Sequence, residues 1–241
     1  MPRLLFEKTG NAIWISHLDL MRVFQRAFKR AGYPLTHTHG YNPRPSVSIA
    51  LPLSVGISSQ CELLDFDLDC EITDFDEVRD KLNAVLIQGV RIREVYPDGM
   101  KIRDLAFLET YIDLVYDDHS SLQEKCESLS KLFSVQSLSV VKKNKNGSQD
   151  QDIIPMIKSI EFSEVGEDCL RINLRHCCQN PTLNPMQVVA AIEKYLPELT
   201  PVATRCGRLE VFNHWNDVLI LRAVFILLDN GQRLHRKQFT Q

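Results

Sequence analysis

The segment richest in side chains that can do chemistry is the ten-residue stretch 36–45, with the sequence THTHGYNPRP. It brings two histidines, a tyrosine, an asparagine and an arginine into one connection. Connections of this length without regular structure are uncommon inside compact domains, and those that occur are often functional. The two prolines and the glycine favour a defined turn over a flexible one. We therefore expect this loop to contribute to a binding site.

A basic helix is predicted immediately before the loop. Its arginines recur every four residues, so they line one helix face. Guanidinium groups bind phosphate oxygens, and an aromatic ring such as Tyr41 can stack on a base. The interpretation requires the arginines and the loop to converge on one cleft; the alternative is a solvated helix face followed by a proline-stiffened turn. The predicted nucleic-acid or anion-binding residues are His17, Arg22, Arg26, Arg30, His37, His39, Tyr41, Asn42 and Arg44.

The three histidines of this region also permit other chemistry. His17 falls in the first turn of the predicted helix, where the dipole favours a neutral imidazole, and His37 and His39 would share one side of a strand. Such a group could serve as acid or base in a metal-independent ribonuclease. No carboxylate or thiol cluster completes a metal site. We expect no catalytic residue, no metal and no cofactor, with histidine catalysis as an alternative.

The absence of several motifs excludes common activities. The sequence has no P-loop, no G-x-G-x-x-G after a strand, no H-E-x-x-H and no G-x-S-x-G. Nucleotide hydrolysis of the standard type, dinucleotide chemistry and zinc proteolysis are therefore disfavoured. Seven scattered cysteines without C-x-x-C spacing are typical of small core residues in a reducing compartment.

Composition indicates a water-soluble, cytoplasmic protein. The 241 residues are 44% hydrophobic and carry a net charge of −3, so no global field drives the molecule onto nucleic acid or anionic membrane. No leader is recognisable at the N-terminus, and the apolar run 218–228 is too short for a membrane span. The charge is unevenly distributed: residues 1–50 hold seven Lys or Arg against two acids, and residues 51–98 hold eleven acids against four bases.

The elements that must position the loop follow the order βαββαβ over residues 1–97. Alternating apolar residues predict extended segments at 3–8 and 12–15, and further strands at 47–53, 64–69 and from residue 90. Ser16 is the predicted N-cap of the basic helix, which Gly32 and Pro34 end. Thr73 is the predicted cap of a second helix.

The same order recurs further along the chain. Strands are predicted at 107–116, 136–143, 153–163, 169–176 and 201–212, with helices from residue 120 or 121 and from Asn184, where Gln187 completes a capping box. The fold class is therefore α+β, with two ferredoxin-like (βαββαβ) halves that have antiparallel sheets. We expect an N-terminal domain over 1–97, a C-terminal domain over 105–212 and a C-terminal extension over 213–241.

Four linked segments, SHLDLMR at 16–22, AGYPL at 31–35, GYNPRP at 40–45 and LPLSVG at 51–56, resemble the radical-SAM-linked protein family. DIIPMI at 152–157 is similar to a further family segment, but the strong resemblance covers about residues 1–70. The resemblance implies a protein encoded beside, or fused to, a radical SAM protein, with no assigned activity of its own. The chain lacks the C-x-x-x-C-x-x-C triad that would hold an iron–sulfur cluster, so the resemblance implies the accessory partner.

These observations lead to one hypothesis and two alternatives. The leading hypothesis is an RNA-binding accessory module that presents tRNA or another structured RNA to a radical SAM modification enzyme. The first alternative is an endoribonuclease-like enzyme that uses His17 or His39 as acid or base. The second is a protein–protein adaptor that docks its partner through the C-terminal segment or the acidic residues Asp65, Asp67 and Asp69.

Overall fold

The computed structural model describes residues 1–99, 101–118, 121–144 and 147–213, with only the backbone described at 143 and 144. Apart from Asn213, the predicted C-terminal extension 213–241 lies outside the described residues. The longest helix in the described ranges has 14 residues, and none is long and apolar enough to cross a membrane.

The first half contains four strands and two helices. In chain order these are β1 (Arg3–Lys8), α1 (His17–Arg30), β2 (Val47–Ile49), β3 (Ser58–Phe66), α2 (Phe75–Asn83) and β4 (Val90–Tyr96). Ser16 caps α1 as predicted, because its Oγ accepts the backbone N–H of Asp19 at 3.2 Å. The predicted cap of α2 was wrong by one residue: Asp74, and not Thr73, accepts the backbone N–H groups of Asp76 and Glu77.

The second half contains six strands and two helices. They are β5 (Leu105–Val115), α3 (Leu122–Phe133), β6 (Ser139–Asn144), β7 (Gly147–Asp152), β8 (Ile157–Glu164), β9 (Cys169–Cys177), α4 (Met186–Tyr195) and β10 (Ala203–Asn213). The predicted capping box before α4 is confirmed. The backbone N–H of Asn184 donates to Gln187 Oε1 at 3.0 Å, and Asn184 Oδ1 accepts the N–H of Met186 at 3.1 Å.

Eight of the ten strands in the described residues form one mostly antiparallel sheet, so the α+β class is confirmed. Its order is β4-β1-β3-β10-β5-β9-β8, with β2 also paired to β3. The two sheets expected from the sequence are thus continuous, joined where β10 runs parallel to β3 at Gly207 and Arg208. A Cβ at Gly207 would collide with Ser58 Oγ and the Tyr111 ring, so this join needs glycine. The ferredoxin-like description of the halves and the domain boundary stay predictions.

Several segments differ from the sequence-based expectation. The predicted strand 47–53 ends at Ile49, the predicted strand 64–69 lies at Ser58–Phe66, and β7 was not predicted. Residues 12–15 were expected to be extended, but a 3₁₀ turn covers Gly10–Trp14. The Lys8 ammonium donates to the carbonyls of Ile13 and Ile15 at 3.1 and 2.8 Å, which stabilises the turn, and an alternation this short does not distinguish turn from strand. The predicted strand 136–143 corresponds to β6, which pairs with β7 in a separate two-stranded ribbon.

The helices cover one face of the sheet. In the first half the inner stripe of α1, which includes Leu20 and Phe24, packs on Leu4 and Phe6 of β1. A second core lies between the sheet and the helices of the second half. A smaller cluster includes Leu5 and neighbours on the opposite face, because successive strand side chains alternate. The continuous sheet therefore fixes the positions of the loops that connect its strands.

Candidate functional site

The loop after α1 forms a hydrogen-bonded arch, by which we mean residues 36–46. At its base the N–H of Thr36 donates to the carbonyl of Asp67 at 3.0 Å, and the N–H of Ser46 donates to the carbonyl of Thr36 at 2.8 Å. Nearer the tip the N–H of Thr38 donates to the carbonyl of Arg44 at 2.8 Å, and the N–H of Arg44 donates to Thr38 Oγ1 at 3.0 Å. The arch therefore has a defined shape, as its prolines and glycine predict.

The tip of the arch presents its side chains to solvent. Tyr41 is fully exposed, and His39, Asn42 and the Arg44 side chain are exposed beside it. Gly40 supplies the turn with a φ of 136°, which residues with side chains rarely adopt. The hydrogen bonds below the tip hold the Tyr41 ring out from the body of the protein. The ring is thereby accessible to a partner that can stack on it.

A groove separates the arch from α1, and we call it the arch groove. Its volume is about 620 Å³, and its floor is mostly apolar, with Tyr33, Pro34 and Pro45 among the lining residues. Lys29 of α1 and His37 of the arch also line it. The structure thus brings the helix and the arch together through Lys29, which the sequence analysis had not included.

The three predicted arginines of α1 do not share one environment. Arg22 donates to Asp19 Oδ1 at 2.7 Å in an exposed ion pair. Arg30 donates to the carbonyl of Val85 at 2.9 Å, and with Arg26 it lines a second groove that Lys29 also borders. His17 is half-buried at the first residue of α1. The nine predicted residues are therefore distributed around the helix and the arch. That they bind one ligand together stays a prediction.

The acidic residues near the arch are largely engaged within the chain. Arg3 makes two hydrogen bonds to the Asp65 carboxylate, at 2.5 and 3.0 Å, across β1 and β3. The Thr36 hydroxyl donates to Asp67 Oδ2 at 2.8 Å, so Asp67 anchors the base of the arch. Asp69 is exposed. In the parts of the chain that the structure describes, no group of three His, Cys, Asp or Glu side chains could hold a metal ion.

A second candidate site, which the sequence analysis missed, lies where the two halves meet. It is a cavity of about 280 Å³, and we call it the junction cavity. The first half contributes residues from 51–57. The second half contributes residues from β5, from the end of β9 and from 182–187, together with Lys142 and Arg208. Its lining comes from segments far apart in the chain, so no local spacing could indicate it.

A buried ion pair supports one wall of the junction cavity. The Arg208 guanidinium donates to Glu62 Oε1 at 3.0 Å, to the carbonyl of Leu51 at 2.6 Å and to the carbonyl of Pro52 at 3.2 Å. Leu51 has a φ of 50°, in the left-handed region that side chains disfavour. Arg208 therefore holds a strained segment in place against the cavity.

Two titratable groups of the cavity wall, His176 and Cys178, are uncharged. His176 is 1% exposed; its Nδ1 donates to the Cys177 carbonyl at 3.1 Å, so its Nε2 accepts from the Thr110 hydroxyl at 2.9 Å. Burial lowers the pKa of His176 to about 4, which keeps the imidazole neutral at pH 7. Burial likewise raises the pKa of the Cys178 thiol to about 12, so the thiol stays protonated. A histidine at an inward position of β9, among leucines and isoleucine, was the one sequence signal for this region.

Comparison with known proteins identifies a family but no activity. The model of the family described as "Uncharacterized protein conserved in bacteria (DUF2344)" matches residues 2–188. No curated protein matches the chain.

Two solved structures have weak similarity. One chain, from the crystal structure of a Cbf5-Nop10-Gar1 complex, is 7% identical, with a TM-score of 0.49; the match covers 88% of this chain and 50% of that one. The chain thus spans about half the length of that neighbour. An unknown protein from Galdieria sulphuraria is 12% identical, with a TM-score of 0.25, over 88% of this chain and 96% of that one. Neither similarity is strong enough to support an argument.

Proposed function

The chain belongs to the uncharacterised protein family DUF2344, and we propose that it binds RNA through the arch, the arch groove and the cations of α1. The observation that carries this proposal is the fully exposed Tyr41 on a hydrogen-bonded arch, next to an apolar groove lined by Lys29. Proteins that bind single-stranded RNA combine aromatic stacking platforms with a cationic path for the backbone.

The charge distribution around the arch supports phosphate binding. Three cations are exposed and are either lining residues of the arch groove or within a few positions of one in the sequence: Arg26, Lys29 and Arg44. The acid on α1, Asp19, is paired with Arg22, and hydrogen bonds from Ser16 and Arg22 lower the pKa of its carboxyl. Unstacked bases of a loop or single strand could occupy the groove and stack on Tyr41 while these cations contact phosphates.

The wider role that we propose is that of an accessory protein, which presents tRNA or another structured RNA to a radical SAM modification enzyme. Support comes from the family resemblance over residues 1–70, which include α1 and the arch. The test is co-purification of the full chain with the radical SAM protein encoded beside it. Failure of the two proteins to co-elute would remove this part and leave RNA binding to be judged separately.

RNA binding is tested with fluorescently labelled RNA, one probe a 12-nucleotide single strand and the other a stem-loop, over a series of salt concentrations. We expect a steep decrease in affinity with salt, because phosphate contacts release counterions. Tyr41→Leu should weaken binding by about 5- to 100-fold, the range for loss of one stacked base, whereas Tyr41→Phe should bind like the unmodified protein. Lys29→Gln should reduce the salt slope by about 0.7 for the single strand.

The control for charge is Lys158→Gln, because Lys158 is exposed on β8, at the far edge of the sheet. This variant should retain the affinity and the salt slope. Absent binding at low salt, or binding that is independent of salt, would contradict the proposal. Cleavage of the RNA that is lost in His17→Ala or His39→Ala would support the ribonuclease alternative instead.

A further inference from the structure

We propose that the junction cavity is a binding site for a small organic anion, with Lys142 and Arg208 as the cationic groups that face its phosphate or carboxylate. The site is distinct from the arch, and nothing in the RNA-binding proposal requires it. The inference rests on the charge of the lining, its hydrogen-bond donors and the size of the cavity.

The charged groups that line the cavity are both positive. Lys142 and Arg208 are lining residues, and no carboxylate is among them. Glu62 pairs with Arg208 without lining the cavity, and it is 2% exposed. The Lys142 side chain makes no hydrogen bond or ion pair within the described ranges of the chain, so its ammonium is available for a ligand. An oxyanion is the ligand group that complements this lining.

Neutral donors surround the two cations. Ser54, Thr182 and Asn184 are lining residues, and each has a side-chain group that can donate a hydrogen bond. Because Asn184 Oδ1 accepts the N–H of Met186, its Nδ2 can donate towards a ligand. His176 cannot serve as a cation, since its two ring nitrogens are engaged by Cys177 and Thr110. The lining therefore offers hydrogen-bond donors to the oxygen atoms of a ligand.

The remaining lining residues define the organic part of the ligand. Ile57, Leu108 and Leu183 form apolar wall, and the Cys178 thiol is protonated. A volume of about 280 Å³ equals that of about nine liquid water molecules, which suits a ligand of roughly 10 to 15 non-hydrogen atoms. The wall at Leu51 and Pro52 is fixed by Arg208, so the cavity is formed before a ligand enters.

The test uses the full chain and three probes of similar size: ribose 5-phosphate, gluconate and uncharged ribose. Calorimetric titration should give a dissociation constant below about 1 mM for at least one charged probe and no measurable binding of ribose. Tighter binding of ribose 5-phosphate would identify the anionic group of the ligand as a phosphate, and tighter binding of gluconate would identify it as a carboxylate. Failure of both charged probes to bind up to 10 mM would overturn the proposal.

Two variants connect the binding to this cavity. Lys142→Gln should decrease the affinity for the charged probe at least tenfold, whereas the matched variant Lys158→Gln on β8 should leave this affinity unchanged. Thr182 is exposed at the cavity rim, so Thr182→Phe should fill the entrance and abolish binding while the protein stays folded. Unchanged affinity in both Lys142→Gln and Thr182→Phe would show that the anion binds elsewhere. RNA binding should be retained in both variants, so the two proposals fail independently.

Discussion

The exposed side of α1 and the junction cavity use an arginine–carboxylate pair in opposite ways. On α1, Arg22 and Asp19 form an ion pair whose side chains are 65% and 57% exposed. At the junction cavity, Arg208 and Glu62 form a pair whose side chains are 15% and 2% exposed. Water solvates the first pair whether or not it forms, but it is excluded from the second.

This difference separates charges that water compensates from charges that depend on a partner within the protein. Exposed charges cost little to place and remain available to a ligand such as a phosphate chain. Buried charges cost much to desolvate, and each depends on its partner for compensation. Arg208 also bonds to two backbone carbonyls, which joins the 51–52 segment of the first half to β10 of the second. The junction therefore combines a binding cavity with a structural tie between the halves.

The largest expected effect is the loss of Arg208. Arg208→Met should reduce the free energy of unfolding by about 3 to 5 kcal/mol, because Glu62 would remain buried without its guanidinium partner. Arg22→Met should reduce it by at most about 1 kcal/mol, because its ion pair is exposed. Urea unfolding followed by circular dichroism measures both. Equal losses in the two variants would contradict the contrast between the regions.

A smaller effect is expected from the pH dependence of His176. Its folded-state pKa of about 4 lies below the ordinary value of 6.5, so the unfolded chain binds the proton more readily between these values. Stability from this group is therefore complete above pH 6.5 and is lost as pH falls towards 4, by about 3 kcal/mol in total. His176→Gln removes the titration and leaves the other groups in place. The difference in unfolding free energy between the two proteins should therefore change with pH over this window. A constant difference would show that the imidazole is not held neutral by burial.

The arch region was predictable because its signals are local. Ser16 with Asp19 marked the start of α1, the apolar spacing of Leu20 and Phe24 marked its inner face, and 36–45 was recognisable from composition alone. These features depend on hydrogen bonds and periodicities within a few residues. The α+β class followed for the same reason, since each strand and helix has its own pattern.

The junction could not be predicted because its contacts link distant residues. Arg208 meets Glu62 across 146 positions of sequence, and the parallel join of β10 to β3 has no local signature. Strand β6 shows the same limit: its alternation predicted a strand, but the partner that it found was β7 and not the main sheet. Pairing is decided by the whole fold, and sequence patterns report only the tendency to extend.

The smallest change in the free energy of unfolding is expected for substitutions at the tip of the arch. At the arch tip Tyr41 is fully exposed and the Arg44 side chain is exposed, and the hydrogen bonds of Arg44 to Thr38 come from its backbone. The double variant Tyr41→Leu, Arg44→Gln should therefore change the free energy of unfolding by no more than about 0.5 kcal/mol, the usual range for surface substitutions. Its urea midpoint should match that of the unmodified protein even though RNA affinity decreases. A loss above 1 kcal/mol would mean that the tip packs against the protein in solution, and an exposed stacking platform could then no longer be claimed. An unchanged midpoint together with weaker RNA binding would separate recognition at the arch from stability at the junction.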